Sequence, residues 1–270
     1  MATSGQMNLA KEISAEDLYF ELQASWGITK HMGGLKATDE LIELCHITPD
    51  KYVLVVGCGI GLTSCYMAKK YGCRVLGVDI SAKMLDWSRK RARKAGVTDR
   101  AEFMLADVQN LPFNDNLFDA VISESVTAFP PDKERAVSEY VRVIKPGGYV
   151  GLNECAWLKE PPPELAEYMS RTIGGQFFTS DGWQELTAGA GLRDMTVRTY
   201  KINALSQWLY EVRQFEFGDF FRAWFQFLSQ YTKSPSFRRI IKEKFLAGLS
   251  LKIFRQFFQY LGYGIFAGQK

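Results

Sequence analysis

Histidine is scarce in this sequence: 270 residues hold two, His31 and His46. Five cysteines stand alone at positions 45, 58, 65, 73 and 155. None forms a CxxC pair, so metal-ligand spacing is missing and the expectation is no metal site. An odd cysteine count without a secretion signal fits reduced intracellular thiols, read as core or turn fillers with no visible activating partner. The opening MATSGQMNLAKEIS is polar and lacks the basic-then-apolar pattern of a leader. No uninterrupted apolar run is long enough to span a bilayer. A net charge of +3 is too small to argue for nucleic acid, and no dense basic stripe or recognition module is visible. These absences read as a cytoplasmic protein without a nucleic-acid partner. What remains is ample apolar material, 47% of the chain, for a large core.

Short apolar runs alternate with helical patterns from about residue 50. KYVLVV reads as a first strand, followed by a helix over 61–71 closed by Gly72. CRVLGVD is a second strand, and SAKMLDWSRKRARKAG a helix with Ser81 as N-cap and Gly96 just past its end. AEFMLAD and LFDAVISES are the third and fourth strands. KERAVSEYVRVI is a helix stopped by Pro146 and Gly147, and GYVGLNEC is a fifth strand. Such alternation implies right-handed crossovers and a parallel sheet covered on both faces, with ligands at the carboxyl ends of the strands. Beyond Cys155 come a proline-led helix (159–175), a short helix (179–192) and a sixth strand, RDMTVRTY. An aromatic-rich segment fills 201–260, and YGIFAGQK reads as a last strand. The first fifty residues read as helices interrupted by WGITKHMGG.

YVLVVGCGIGLT, at 52–63, carries the chemistry. Four apolar residues lead into Gly57, Gly59 and Gly61, a strand turning tightly into a helix whose amides can cradle a nucleotide. A dinucleotide fingerprint requires its third glycine at position 62, where this chain has Leu62, which speaks against NAD and FAD. Asp79 ends the second strand about twenty residues on, and a carboxylate there can accept from two vicinal ribose hydroxyls. Ile80 can cover one face of an adenine. In ADVQNLPF, Asp107 can accept from an adenine amino group while the Val108 N–H donates to a ring nitrogen. Each feature has a bland alternative: glycines serving only the turn, Asp79 as a surface carboxylate, Asp107 as a turn former.

VLVVGCGIG, GVDIS, ADVQNLPF and KPGG, in this order, resemble the class I S-adenosylmethionine-dependent methyltransferases, especially the quinone and small-molecule group. The resemblance covers roughly residues 50–155. It implies an α/β, Rossmann-like, doubly wound, seven-stranded sheet whose last strand is antiparallel. On that reading 1–48 is an N-terminal helical cover, 49–200 the cofactor-binding core, 201–260 a helical cap and 261–270 the last strand. The cofactor is S-adenosylmethionine, the product S-adenosylhomocysteine, and the binding residues Gly57, Cys58, Gly59, Gly61, Asp79, Ile80, Asp107, Val108 and Glu124. One departure concerns the acid that the family commonly has two positions before the first glycine; here it is Val55. Glycine-loop carbonyls, helped by WGITKHMGG, are then left to hold the cofactor's ammonium.

Methyl transfer from a sulfonium needs alignment and dehydration, and a base only when the acceptor arrives protonated. His31, in the glycine-bearing loop, and Glu124, after the fourth strand, are the catalytic candidates, with Glu154 a weaker third. His46, at a helix terminus, reads as structural. Tyr19 and Trp26 can offer aromatic faces to a cation. Residues 221, 224, 225 and 228 follow helical spacing, and Arg238, Arg239, Lys242, Lys244, Lys252 and Arg255 alternate with apolar residues. This basic, aromatic cap can close an apolar pocket or touch a membrane surface. The expected acceptor is a small or lipid-like molecule with an apolar portion, and cyclopropane-forming lipid enzymes stay within range. The competing readings are a nicotinamide-dependent oxidoreductase and a cofactor-binding protein without turnover.

Overall fold

The computed structural model describes residues 15–202, 217–247 and 249–270. Two helices, α1 (Ala15–Trp26) and α2 (Gly34–Leu44), precede the first strand, β1 (Tyr52–Val56). There follow α3 (Leu62–Lys70), β2 (Arg74–Asp79), α4 (Ala82–Ala95), β3 (Ala101–Leu105), β4 (Phe118–Glu124), α5 (Lys133–Val143) and β5 (Ile144–Trp157). The second half holds α6 (Pro163–Ile173), β6 (Phe178–Thr179), α7 (Ser180–Gly189) and β7 (Arg193–Lys201). Further on come α8 (Phe217–Lys233), α9 (Pro235–Ile240), a π-helical turn (Ile241–Leu246), α10 (Leu251–Tyr260) and β8 (Leu261–Gln269).

The sheet runs β3-β2-β1-β4-β5-β8-β7, with β1 to β5 mutually parallel and β8 antiparallel to both β5 and β7. Val53 to Val56 are all buried, as a central strand covered on both faces requires. The order reverses between β1 and β4, so a crevice opens at their carboxyl ends. Local signals operate as expected on α4: Ser81 Oγ accepts from the Met84 N–H, and Gly96 takes the left-handed conformation at its end.

Two local expectations need correction. An eighth strand, β6, joins the anticipated seven, pairing parallel with Ala156 and Trp157 of β5. Glu124, the last residue of β4, pairs with Asn153, so β5 overhangs its neighbour and its free edge takes the returning chain. The helix expected to stop at Pro146 ends at Val143, and Ile144 already pairs with Phe118 in the sheet. Lys145, before proline, is sterically barred from helix. The register shift between Phe118 and Ala120 absorbs the KPGG segment as a bulge, where a Cβ on Gly148 would come within 2.7 Å of the Asp119 carbonyl.

One face of the sheet packs on Ala37, Leu41 and Ile42 of α2 together with α3 and α4; the other packs on Ala136, Val137 and Tyr140 of α5 and Trp183 of α7. All five cysteines are buried and free. Burial pushes the Cys45 thiol up to about 12 and those of Cys65 and Cys73 to about 11, which suits core packing and not nucleophilic work. His46 sits at φ 49 beyond the end of α2, where Ile47 N–H closes onto the Ile42 carbonyl, a helix-terminating role. In the cap, Phe221, Trp224, Phe225 and Leu228 share one face of α8 and are exposed, Phe225 by 74%. Ile253 of α10 turns inward, into an apolar cluster with Cys155, Trp157, Leu165, Met169 and Leu261. Among the described residues no helix is long and apolar enough to cross a membrane.

Candidate active site

β1 delivers the chain into a loop whose glycines are required by sterics. Gly57, Gly59 and Gly61 have φ of 56, 54 and 73°. A Cβ on Gly57 would lie 2.3 Å from Val126 Cγ2, and one on Gly61 2.9 Å from Ser88. The loop is tied to β2: Cys58 N–H donates to the Val78 carbonyl at 2.9 Å, so this amide is spent inside the fold. Ser88 Oγ donates to the Gly59 carbonyl at 2.7 Å.

Asp79 joins the loop to the next strand. Its Oδ2 accepts from the Gly59 N–H at 2.8 Å and its Oδ1 from the Ser81 N–H at 2.9 Å. Burial raises its carboxyl above the usual range while these amides pull it back. Each oxygen keeps a further lone pair, the acceptors a ribose diol needs. Ile80 beside it is 75% exposed, a bare apolar face at the strand end. Asp107 stands two residues beyond β3, exposed, with its carboxylate accepting from the Gln109 N–H at 2.9 Å. Val108 is buried and packs near Leu111. The Ala106 N–H donates to the Asp79 carbonyl at 3.1 Å, which holds the two acidic strand ends side by side. An adenosine fits this set: a glycine cradle, a half-buried carboxylate with free lone pairs, and an exposed isoleucine.

The other end of the loop faces a cavity of about 20 Å³ lined by Thr29, His31, Val55, Gly57, Thr63 and Glu124, among others. His31 and Glu124, far apart in sequence, therefore meet. Glu124 Oε1 accepts from Thr38 Oγ1 of α2 at 2.8 Å and Oε2 from Thr63 Oγ1 of α3 at 2.5 Å. His31 is buried, its Nε2 3.5 Å from Thr38 Oγ1. The stretch 27–34 lies over the loop: a Cβ on Gly59 would meet Thr29 Oγ1 at 3.1 Å, and one on Gly27 would strike the Trp87 ring at 2.8 Å. Trp87 Nε1 also donates to the Ala24 carbonyl at 2.9 Å, fastening α1 to α4.

Glu154 is placed differently. It faces the α5 side of β5, fully buried, and its Oε1 accepts from the Val126 and Thr127 N–H groups at 2.9 and 2.7 Å. Burial pushes it up to about 7. Its work is to hold the loop that presses Val126 against Gly57. Four contributors escaped the sequence reading: Thr38, Thr63, Val126 and Asn153. Only Asn153 carried a signal, a polar residue interrupting an apolar strand. The side chains of Tyr19 and Trp26 lie outside the described residues.

A glycine loop at a topological switch point, with acidic residues ending the second strand and following the third, defines a Rossmann-like nucleotide-binding site. Residues 54–152 match the family model of a methyltransferase domain. A Haemophilus influenzae protein of uncharacterized function is 32% identical over 178 residues, 64% of this chain and 71% of its own length. Phosphoethanolamine N-methyltransferase 1 of Arabidopsis thaliana is 32% identical over 164 residues, 60% of this chain but 33% of that enzyme. Sterol 24-C-methyltransferase ERG6B of Gibberella zeae is 38% identical over 112 residues, 42% of this chain and 29% of its own. The chain thus spans a third or less of these two named enzymes. In fold it resembles the SpnF cyclase (TM-score 0.71, 20% identity, 95% and 94% of the two chains). It also resembles a geranyl diphosphate methyltransferase solved with S-adenosylmethionine (TM-score 0.64, 18% identity, 87% and 84%). The chain belongs to the S-adenosylmethionine-dependent methyltransferases, and S-adenosylmethionine is its cofactor.

Proposed function

We propose that the protein methylates a small-molecule acceptor with a substantial apolar portion. The observation that carries this is Met32: it adjoins His31 at the polar cavity, and its side chain packs against the apolar cluster of Cys155, Leu165, Met169 and Ile253. A polar reaction point thus grades into an apolar wall built from α6 and α10. Burying one large apolar side chain's worth of surface is worth about 1.5–3 kcal/mol, enough for such a wall to discriminate strongly against polar acceptors. Two of the relatives named above act, by their names, on small molecules, phosphoethanolamine and a sterol.

The bound cofactor supplies an already activated methyl group. Asp79 accepts from its ribose, Asp107 and the Val108 N–H read its adenine, and Ile80 covers one ring face. The 57–61 loop, Cys58 included, shapes the passage to the methionine end, with Glu124 beside it. Glu124 and His31 are the groups placed to take a proton from a protonated acceptor. Calorimetry with S-adenosylmethionine and NAD tests the cofactor assignment, and tight NAD binding without any response to S-adenosylmethionine would remove it. Turnover separates an enzyme from a binding protein. Radiolabelled methyl transfer into a cell extract tests the acceptor class: label should enter the organic phase, and label confined to water-soluble products would defeat the apolar reading.

A second feature favours an acceptor taken from a lipid surface. Residues 217–260 hold eight Lys and Arg against two acids, within a chain whose net charge is +3. The same segment exposes Phe221, Trp224, Phe225, Leu251 and Phe254. Cationic, aromatic helices of this kind suit an anionic bilayer interface. Flotation with phosphatidylserine vesicles should carry the protein, and Trp224→Ala with Phe225→Ala should release it; no flotation at low salt would end this reading.

A further inference from the structure

Asn153 occupies the middle of β5 and is fully buried. A Cβ on its strand neighbour Gly151 would stand 2.6 Å from Cys45 Sγ and 3.0 Å from Leu41 Cγ. Strand alternation therefore turns residues 151, 153 and 155 toward α2 and the cover. Asn153 Nδ2 donates to the Met32 carbonyl at 2.7 Å. A carbonyl only accepts, so this bond fixes which end of the amide is nitrogen and turns Oδ1 away from Met32. That Oδ1 is buried and has no hydrogen-bond partner in the described structure. Buried acceptors are rarely left unmade, and an orphan of this kind marks a place where something else donates.

The neighbours say what kind of donor. In the register of β4 and β5, Asn153 pairs with Glu124, about one strand spacing of 4.8 Å away. Glu124 lines the cavity with His31 and the glycine loop. Two residues along the same face of β5 is Cys155, already inside the apolar cluster of α6 and α10. Asn153 thus stands at the border between the reaction cavity and the apolar wall.

We propose that Asn153 Oδ1 receives the N–H or O–H of the acceptor's reacting atom, so that the protein methylates a hydroxyl or amine and not carbon. This rests on the apolar-acceptor reading above. The acceptor's lone pair forms the new bond to the methyl carbon, and the carbon–sulfur pair stays on sulfur as a neutral thioether. An amine with a second N–H keeps one on Oδ1 and gives the other proton to Glu124, whereas a hydroxyl turns its single proton from Oδ1 to Glu124 as the new bond forms. Each Glu124 oxygen accepts one hydrogen bond and keeps a lone pair for it. A carbon nucleophile offers Oδ1 nothing and leaves it unpaired.

The test uses two probes that differ only in the donor, 4-octylphenol and its methyl ether 4-octylanisole, titrated into the protein saturated with S-adenosylhomocysteine. The wild type should bind the phenol at least about tenfold more tightly, the discrimination a site built to pair a hydroxyl provides. Asn153→Ala should bring the ratio close to one while leaving the anisole within about threefold. A merely structural role, through the Met32 bond and the cover, would weaken both probes alike and preserve the ratio, which overturns the proposal. Equal binding of the two probes to the wild type also overturns it and leaves the apolar-acceptor reading standing. Failure of both probes to bind removes that reading and the proposal with it. Should Asn153→Ala not fold, as judged by lost S-adenosylhomocysteine binding, Asn153→Leu, which keeps about the same volume without any acceptor, takes its place with the same expected ratio.

Discussion

At neutral pH Glu154→Gln should stabilise the protein, and at pH 5 most of that advantage should be gone. The carboxyl is fully buried, with Oε1 held by two backbone amides and Oε2 unpartnered in the described structure. Burial moves it from the ordinary 4.5 to about 7. Below pH 4.5 both folded and unfolded states carry the proton, and the group does not affect stability. Between 4.5 and 7 the unfolded state has released a proton that the folded state keeps, so stability falls as pH rises. Above 7 the folded state must hold a buried charge, and the loss levels off at about 3 kcal/mol. Glutamine does not titrate and retains the Oε1 acceptor. The variant's stability relative to wild type should therefore climb by about 2–3 kcal/mol from pH 5 to pH 8. Urea unfolding of both proteins, followed by tryptophan fluorescence at pH 5, 6.5 and 8, measures it. Any constant offset from the new Nε2 donor cancels in the pH dependence. A difference that stays flat across this range would show that Glu154 is already ionised in the fold, and would refute the burial argument.

Asp79→Ala should weaken S-adenosylmethionine binding at least about tenfold through lost charge-assisted hydrogen bonds, each worth roughly 1.5–3 kcal/mol. Unchanged affinity in a folded variant would mean the ribose is held elsewhere. Gly57→Ala forces a Cβ to 2.3 Å from Val126 Cγ2 at a φ of 56°, and should cost more than about 2 kcal/mol in thermal unfolding. Adding Val126→Ala should restore part of that loss, and no restoration would mean that strain at φ, and not the clash, governs the loop. Hydrogen exchange should show added protection over 26–34 as well as 57–61 when S-adenosylmethionine binds. Protection confined to 57–61 would place the cover elsewhere.

Much of the scaffold was legible along the chain because its causes are local. VLVV reads as a buried strand since four apolar residues in a row suit a strand covered on both faces. Gly57, Gly59 and Gly61 read as a tight turn, and each takes a positive φ. Asp79 and Asp107 read as ligands because they end or follow strands on the edge where parallel sheets bind. YGIFAGQK read as the antiparallel last strand, and β8 pairs so with β5 and β7. Pattern failed where geometry between elements decided the outcome. Asn153 and Glu154 adjoin in GYVGLNEC, yet the pleat sends one toward α2 and the Met32 carbonyl and the other toward α5. Glu124 joins Thr38 across 86 positions, and Asn153 joins Met32 across 121. The aromatic face of α8 was visible as periodicity, but periodicity does not say whether a neighbour covers it, and it stands exposed. Local sequence determined which elements form and where the glycine loop and the two acidic strand ends stand, through backbone conformation and burial of contiguous residues. Only the tertiary structure decided which side chains share the reaction cavity, because crossovers and strand register, set by the packing of the whole sheet, choose their neighbours.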